Sequence, residues 1–198
     1  MSKPLFIVLE GIDGNGKTTQ ATLLKNWLEK KGKKVFLTSE PSSSKYGKRI
    51  KILVRGKSKI SKKVWTKLFT LDRKEHEKKI KTALKEKKIV ICDRYVYSTM
   101  AYQLNKKEWK SYAKQFIKPD VVFILDVPVS IAIKRIERRC KEKGEEKKYF
   151  EKKIFLKKVR KKFLEIKKFL DNNIKIIDAS SSIGEIFENI KKEVKKLL

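Results

Sequence analysis

Apolar positions follow two rhythms along this chain. Short, nearly unbroken apolar runs occur at 5–9 (LFIVL), 35–37, 89–92, 121–125 and 174–177. Runs of that length without alternation predict strands buried on both faces. Longer stretches between them carry apolar residues three and four apart. Over 18–29 these are Ala21, Leu24 and Leu28; over 61–87 they are Val64, Leu68, Leu71, Ile80 and Leu84, which helical spacing turns inward. Ile50, Leu53 and Val54 predict a short helix ending near Gly56. Further helices are expected from the third strand to about Phe116, then over 131–140, 151–170 and 183–197. Segment 40–46 (EPSSSKY) reads as a loop, and the charged stretch 141–148 as a break in the pattern.

Strands joined by helices of this length pair in parallel, through right-handed crossovers. No Pro/Gly/Ser-rich linker and no internal repeat divides the 198 residues. The expectation is one three-layer α/β domain over 1–198, binding ligands at the carboxyl ends of its strands. No apolar run approaches the length of a membrane span, and the run at 5–9 is too short for the apolar part of a signal peptide. A cytoplasmic protein with no membrane partner is expected. The two cysteines make no disulfide framework: Cys92 follows an apolar run and reads as a buried thiol, while Cys140 sits among charges.

A net charge of +30 raises the question of a polyanionic partner. The lysines, however, are spread along the polar faces of almost every helix, as at Lys25, Lys30, Lys31, Lys78, Lys79, Lys81 and Lys85, with no basic arm. That distribution describes solvated faces, and no specific nucleic-acid partner is expected.

Glycine is scarce, 8 residues in all, yet three of them fall in LEGIDGNGKTTQ at 9–20. Residues 11–18, G-I-D-G-N-G-K-T, fit G-x-x-x-x-G-K-[ST] between an expected strand and an expected helix. Glycines let successive N–H groups turn toward one anion, and the helix start adds its positive end. The candidate ATP site is therefore Gly11, Ile12, Asp13, Gly14, Asn15, Gly16, Lys17, Thr18 and Thr19. Lys17 would reach the β/γ-phosphates, and Thr18, with Asp13 and Asp93, would hold Mg²⁺. The alternative is a glycine turn with an incidental lysine, which the strand–loop–helix setting disfavours. The loop alone does not name a reaction. The third strand runs into IVICDRYVYSTMAYQ at 89–103. Asp93 stands at its carboxyl end, and Arg94 offers a planar fork suited to phosphate. Ser98, Thr99, Tyr102 and Gln103 follow on one side of a helix, with hydrogen-bonding and stacking groups fit for a sugar and base.

At these two motifs the sequence resembles the thymidylate kinases. E-G-x-D-G-x-G-K-T-T-Q is matched at 10–20, and D-R-Y-x-x-S-x-x-A-Y-Q at 93–103. The resemblance implies the P-loop kinase fold: a five-stranded parallel sheet flanked by helices, with a short lid at about 140–150. It implies ATP + dTMP → ADP + dTDP with Mg²⁺. In KLFTLDRKEH it implies that Phe69 stacks on thymine and Arg73 bonds its O4, where the residues alone would allow a core Phe69 and a surface Arg73. It places Arg94 on the acceptor phosphate, Tyr102 by the deoxyribose, and Ser98, Thr99 and Gln103 as pocket neighbours. Asp126 reads as structural. Some members carry an arginine inside the loop, where this chain has Gly14; Arg139, then Arg135 and Arg138, are the candidates to replace it on the transferring phosphoryl group. After strand two many members have Arg-Glu-Pro, but this chain has Ser39-Glu40-Pro41, leaving Arg49 or Lys48 to stand in for the missing arginine. Homodimers are common in the family, though no interface is legible here. The alternatives are a kinase for another monophosphate or a nucleoside, or an ATP-using nucleic-acid-binding protein.

Overall fold

A computed structural model describes residues 4–56, 60–144 and 152–198. Five strands form one all-parallel sheet in the order β2-β3-β1-β4-β5. They are β1 (Phe6–Glu10), β2 (Val35–Ser39), β3 (Ile89–Asp93), β4 (Val121–Asp126) and β5 (Ile174–Asp178). In register, Ile7 lies beside Ile91 on one side and Val121 on the other. Every residue of β1 and β3 is buried, which explains their unbroken apolar runs. The edge strands differ: β2 is mostly half-buried, and β5 exposes Ile176. The chain steps from β1 outward to β2 and β3, then to β4 and β5 on the other side of β1. That reversal opens a crevice at the carboxyl ends of β3, β1 and β4.

The connecting helices are α1 (Lys17–Lys30), α2 (Lys45–Arg55), α3 (Lys62–Lys85), α4 (Val96–Tyr102), α5 (Trp109–Ala113), α6 (Val129–Lys143), α7 (Lys153–Phe169) and α8 (Ile183–Lys195). Helix α1 buries Ala21, Leu24 and Leu28 as its spacing predicts. Ser61 opens α3 by accepting the Val64 N–H, and Ser182 opens α8 with a capping box to Glu185.

Three expectations are corrected. The inward face of α3 is not the all-apolar one. It is Trp65, Asp72, Arg73, His76, Glu77, Ile80 and Ala83, while Val64 is 47% exposed and Leu68, Leu71 and Leu84 are half-buried. The spacing is still helical, but a buried polar network holds charged residues on the core side. The single helix expected up to Phe116 breaks after Tyr102, because Asn105 starts a new 3₁₀ turn (Lys106–Glu108) and pairs with Glu108. Helix α6 runs beyond 140 into the charged stretch, helped by the Arg138–Glu142 pair, and stops at Gly144, whose left-handed φ of 60° suits a helix end. Of the lid expected over 140–150, residues 145–150 lie outside the described residues.

Candidate active site

Between β1 and α1 the chain turns back on itself through Gly11, Gly14 and Gly16, all at positive φ. Gly14 has φ +81°, and a Cβ there would lie 2.4 Å from the Ala132 carbonyl oxygen of α6. Only glycine fits on both counts, so an arginine at this position would need the loop or α6 to move. Lys17 is buried at the first position of α1. Its Nζ donates to Gly11 O (3.0 Å), Ile12 O (2.9 Å) and Asn15 Oδ1 (2.8 Å). Burial, aided by the nearby Arg94 charge, lowers its pKa to about 8, against the pull of Asp93, Asp13 and Glu10. Thr18 Oγ1 donates to Asp93 Oδ2 at 2.6 Å, which joins the loop to the end of β3.

Arg94 follows with a strained φ of +72°. Its N–H donates to Leu9 O, and its guanidinium donates to Asp13 Oδ1 (2.9 Å), Ser98 Oγ (3.1 Å) and Gly11 O (3.2 Å). Burial opposes its charge, but Asp13 beside it, with Asp93 and Glu10 farther off, more than compensates and raises its pKa. Tyr102 donates to the other Asp13 oxygen at 3.0 Å, and Arg94 lies 5.5 Å over its ring. Beneath them Glu10, wholly buried, accepts from Tyr95 N–H (2.7 Å), Ser98 N–H (3.0 Å) and Ser98 Oγ (2.7 Å). Burial raises its pKa. The carboxylate thereby pins both ends of the first turn around Arg94.

These groups open onto a cleft of about 1000 Å³. The loop from Asp13 to Thr19 lines one part of it, with Asp93, Arg94, Ser98, Thr99, Tyr102, Gln103 and Phe69 lining another. Arg135, Arg138 and Arg139 line it from α6. Arg135 is tied to Ala179 O at 3.0 Å.

Arg73 is placed differently from the rest. It is 1% exposed and lies behind the cleft lining. Its Nε and Nη2 both donate to Glu40 Oε2 (2.9 and 2.6 Å), and Nη2 also to Tyr95 O and Thr99 Oγ1. Its Nη1 donates to the Tyr112 hydroxyl at 2.9 Å. His76 Nδ1 lies 3.2 Å from the other Glu40 oxygen, and His76 Nε2 lies 2.6 Å from Thr38 Oγ1. Asp126 receives a two-pronged bond from Arg160 (2.6 and 2.8 Å), which ties α7 to β4.

Two cleft walls extend the candidate set beyond Ser39-Glu40-Pro41, which the resemblance had already singled out. Ser39, Glu40, Pro41, Lys51, Val54 and Arg55 supply one, after β2 and along α2; Gln20, Ser181, Ser182, Ile183 and Ile186 supply the other. Lys48 and Arg49 are exposed and outside the lining; the cations that line this side of the cleft are Lys51 and Arg55, one helical turn apart. The signal was there in part, since Lys51 and Arg55 lie four apart in the short helix that Ile50 and Val54 announced.

Comparison with known proteins fits this geometry. The family model described as thymidylate kinase matches residues 9–190. The chain belongs to the thymidylate kinase family. It is 42% identical to a probable thymidylate kinase of Thermococcus kodakarensis, with 98% of each chain covered. It is 42% identical to a probable thymidylate kinase of Methanocaldococcus jannaschii, over 94% of this chain and 93% of that one. A thymidylate kinase of Thermosipho africanus is 38% identical, over 98% and 99%. The five-stranded parallel sheet is the one the family resemblance implied. No helix among the described residues is long and apolar enough to cross a membrane.

Proposed function

We propose that this chain transfers the γ-phosphoryl group of ATP to dTMP, giving dTDP and ADP. The observation that carries the reading is one cleft in which Lys17 in its glycine loop faces Arg94, with Phe69 forming an apolar wall nearby. Family membership supports the same acceptor.

Phosphoryl transfer of this kind needs no protein nucleophile; placement and charge do the catalysis. The loop's N–H groups and Lys17 hold the donor phosphates. Arg94 exchanges Asp13 for the acceptor phosphate, a like-for-like swap of one anion for another on a planar fork. Lys51 and Arg55 provide positive charge on the side where Ser39 replaces the family arginine. Phe69 stacks on the base, with Thr99, Ser98 and Gln103 as polar neighbours and Tyr102 beside the sugar. Arg73 acts from beneath: it fixes Thr99 and Glu40, and any bond to a thymine oxygen falls to its second Nη1 hydrogen. Arg139, Arg135 and Arg138 stabilise the charge that spreads over the transferring group.

The donor set fits Mg²⁺. Asp93 Oδ1 is buried with no hydrogen-bond partner among the described residues, while Oδ2 already holds the Thr18 hydroxyl. One carboxylate, one hydroxyl and substrate phosphates suit Mg²⁺, and no cluster of three or more His, Cys, Asp or Glu side chains occurs among the described residues to favour an all-protein cage. Thr18 and Asp93 would hold the ion; Asp13, engaged by Arg94 and Tyr102, ranks behind them. An ion held by Thr18 and Asp93 would supply positive charge against the substrate phosphates. The reading also includes a cytoplasmic site of action and a homodimer, the latter favoured by the apolar side chains that α2 and α3 leave exposed, Ile52 at 63% and Val64 at 47%.

The test is ADP release with Mg-ATP and, separately, dTMP, dUMP, dCMP, dGMP and thymidine. Highest turnover is expected with dTMP, with dUMP next, because one methyl group is worth only about 1–3 kcal/mol in an apolar pocket. Turnover highest with thymidine or dGMP would refute the assignment.

A further inference from the structure

The loop motif leaves position 15 open, yet Asn15 is 1% exposed and uses its whole amide. Nδ2 donates to Glu10 O (3.2 Å) and Leu125 O (2.9 Å). Oδ1 accepts from the Lys17 N–H (3.2 Å) and Lys17 Nζ (2.8 Å). A side-chain amide has two donors and two acceptor sites, and all four are used. The orientation is fixed, because the flipped amide would aim N–H groups at an ammonium and an oxygen at two carbonyls. We propose that Asn15 is a positioning residue for the phosphoryl donor, clamping the phosphate loop to the sheet with one end of its amide and presenting Lys17 with the other.

The partners sit where such a clamp would matter. Glu10 ends β1 and Leu125 lies one residue from the end of β4, two paired strands on the floor of the crevice. Arg94 and Tyr102 hold the loop through Asp13, and Arg94 and Lys17 through Gly11 O, but Asn15 is the loop side chain that bonds two strands of the sheet. Gly11 is part of the same device: a Cβ there would lie 2.2 Å from Asn15 Nδ2, so the amide occupies the space a side chain would take. Lys17 Nζ has three hydrogens, and Gly11 O, Ile12 O and Asn15 Oδ1 account for all of them. Two of these acceptors belong to the loop backbone, and the third is the side chain that fixes that backbone to the sheet. A phosphate oxygen arriving between the Lys17 N–H and Nζ takes the place of Oδ1, which bonds both. The Nδ2 bonds to the strands are untouched by that exchange, so the loop keeps its shape while Lys17 changes partner. The Glu40–Arg73 pair beneath the acceptor side shares none of these bonds; the acceptor side meets them at one atom, Gly11 O, which accepts from both Lys17 Nζ and Arg94 Nη1.

This inference rests on the reading that the loop takes the nucleoside triphosphate. The test is Asn15→Ala, read by ADP titration calorimetry without acceptor and by the KM of each substrate. The expected result is a rise of about tenfold in ADP Kd and ATP KM, the equivalent of ~1.4 kcal/mol, with dTMP KM changed less than twofold. A merely structural role would lower the melting temperature and move both substrates together. An ADP Kd within twofold of the parent protein, or parallel rises in both KM values, overturns the proposal. If Asn15→Ala does not fold, Asn15→Ser is judged by the same two criteria. ADP binding separates the failures: a parent protein that binds ADP but does not phosphorylate dTMP sinks the proposed function and leaves the Asn15 comparison readable.

Discussion

Replacing Glu40 by alanine removes the only carboxylate bonded to Arg73 among the described residues. Both side chains are almost wholly buried, 3% and 1% exposed, so water cannot take over. Arg73 would lose the partner of two of its donors, Nε and Nη2, and His76 would lose the oxygen facing Nδ1. The pair raises the pKa of Arg73: burial works against the charge, and Glu40 overrides it. The guanidinium therefore stays charged and is left stranded. Breaking one side of a buried ion pair costs about 3–5 kcal/mol. For a chain of this length each kcal/mol moves the melting temperature by about 2–4 °C, so a fall of roughly 6–20 °C is expected. Thermal unfolding followed by circular dichroism measures it. The pairwise origin is checked by Arg73→Met and the double variant Glu40→Ala/Arg73→Met. Removing both charges abolishes the stranding, so the double variant should be more stable than the sum of the single losses by at least ~1 kcal/mol. Both single variants should also raise the KM for dTMP, since Thr99 and the cleft wall at Glu40 lose their support. A fall of under about 3 °C in Glu40→Ala, or strictly additive losses in the double, would refute the account.

Three further outcomes follow from the same geometry. Lys17→Ala should lose turnover by roughly 10²–10³-fold, the scale for one donor aimed at transition-state charge; a rate above a tenth of the parent's would remove Lys17 from its role. Because burial and Arg94 set the Lys17 pKa at about 8, below its usual 10.5, ADP affinity should decline as pH rises through 8, toward tenfold per pH unit above it. The sign for stability is opposite: between pH 8 and 10.5 the unfolded chain holds the proton that the folded one has shed, so unfolding free energy rises with pH there. Calorimetric Kd values that stay flat from pH 7 to about 9.5 would contradict the first statement. Gly14→Ala combines a left-handed residue with a Cβ 2.4 Å from Ala132 O, so a loss of about 2–5 kcal/mol is expected from strain plus overpacking; unchanged denaturant midpoints would show that α6 yields freely.

What could be read from the sequence, and what could not, divides by how the chemistry is laid out along the chain. The loop at 11–18 was legible because its pattern is local: the glycines, Lys17 and Thr18 fall within eight consecutive residues, and the flanking strand and helix announce themselves by apolar rhythm. The same holds for Asp93 and Arg94, which stand at the end of a fully buried strand. Arg73 shows the opposite case. Its place near the site came from the family resemblance, with which the i, i+4 spacing to Phe69 agrees, but its burial was not legible, because a charged residue on a helix reads as surface until its counter-ion is known. That counter-ion, Glu40, lies 33 residues away in a segment legible only as a loop. The error on α3 has the same origin. Apolar residues alone turned Val64 inward, whereas the helix is oriented by Asp72, Arg73, His76 and Glu77 meeting Ser42, Glu40, Thr38 and Tyr95. Asn15 reads from the sequence only as one more loop residue of the candidate ATP site; its tie to the sheet is hidden for a related reason, since its bond to Leu125 spans 110 residues. On the acceptor side of this cleft, then, the contact residues can be named from local pattern, while the residues that hold them in place appear only once the sheet has brought distant segments together. It follows that substitutions guided by motif alone would test Lys17 and Arg94 and leave the supports, Glu40 and Asn15, untouched.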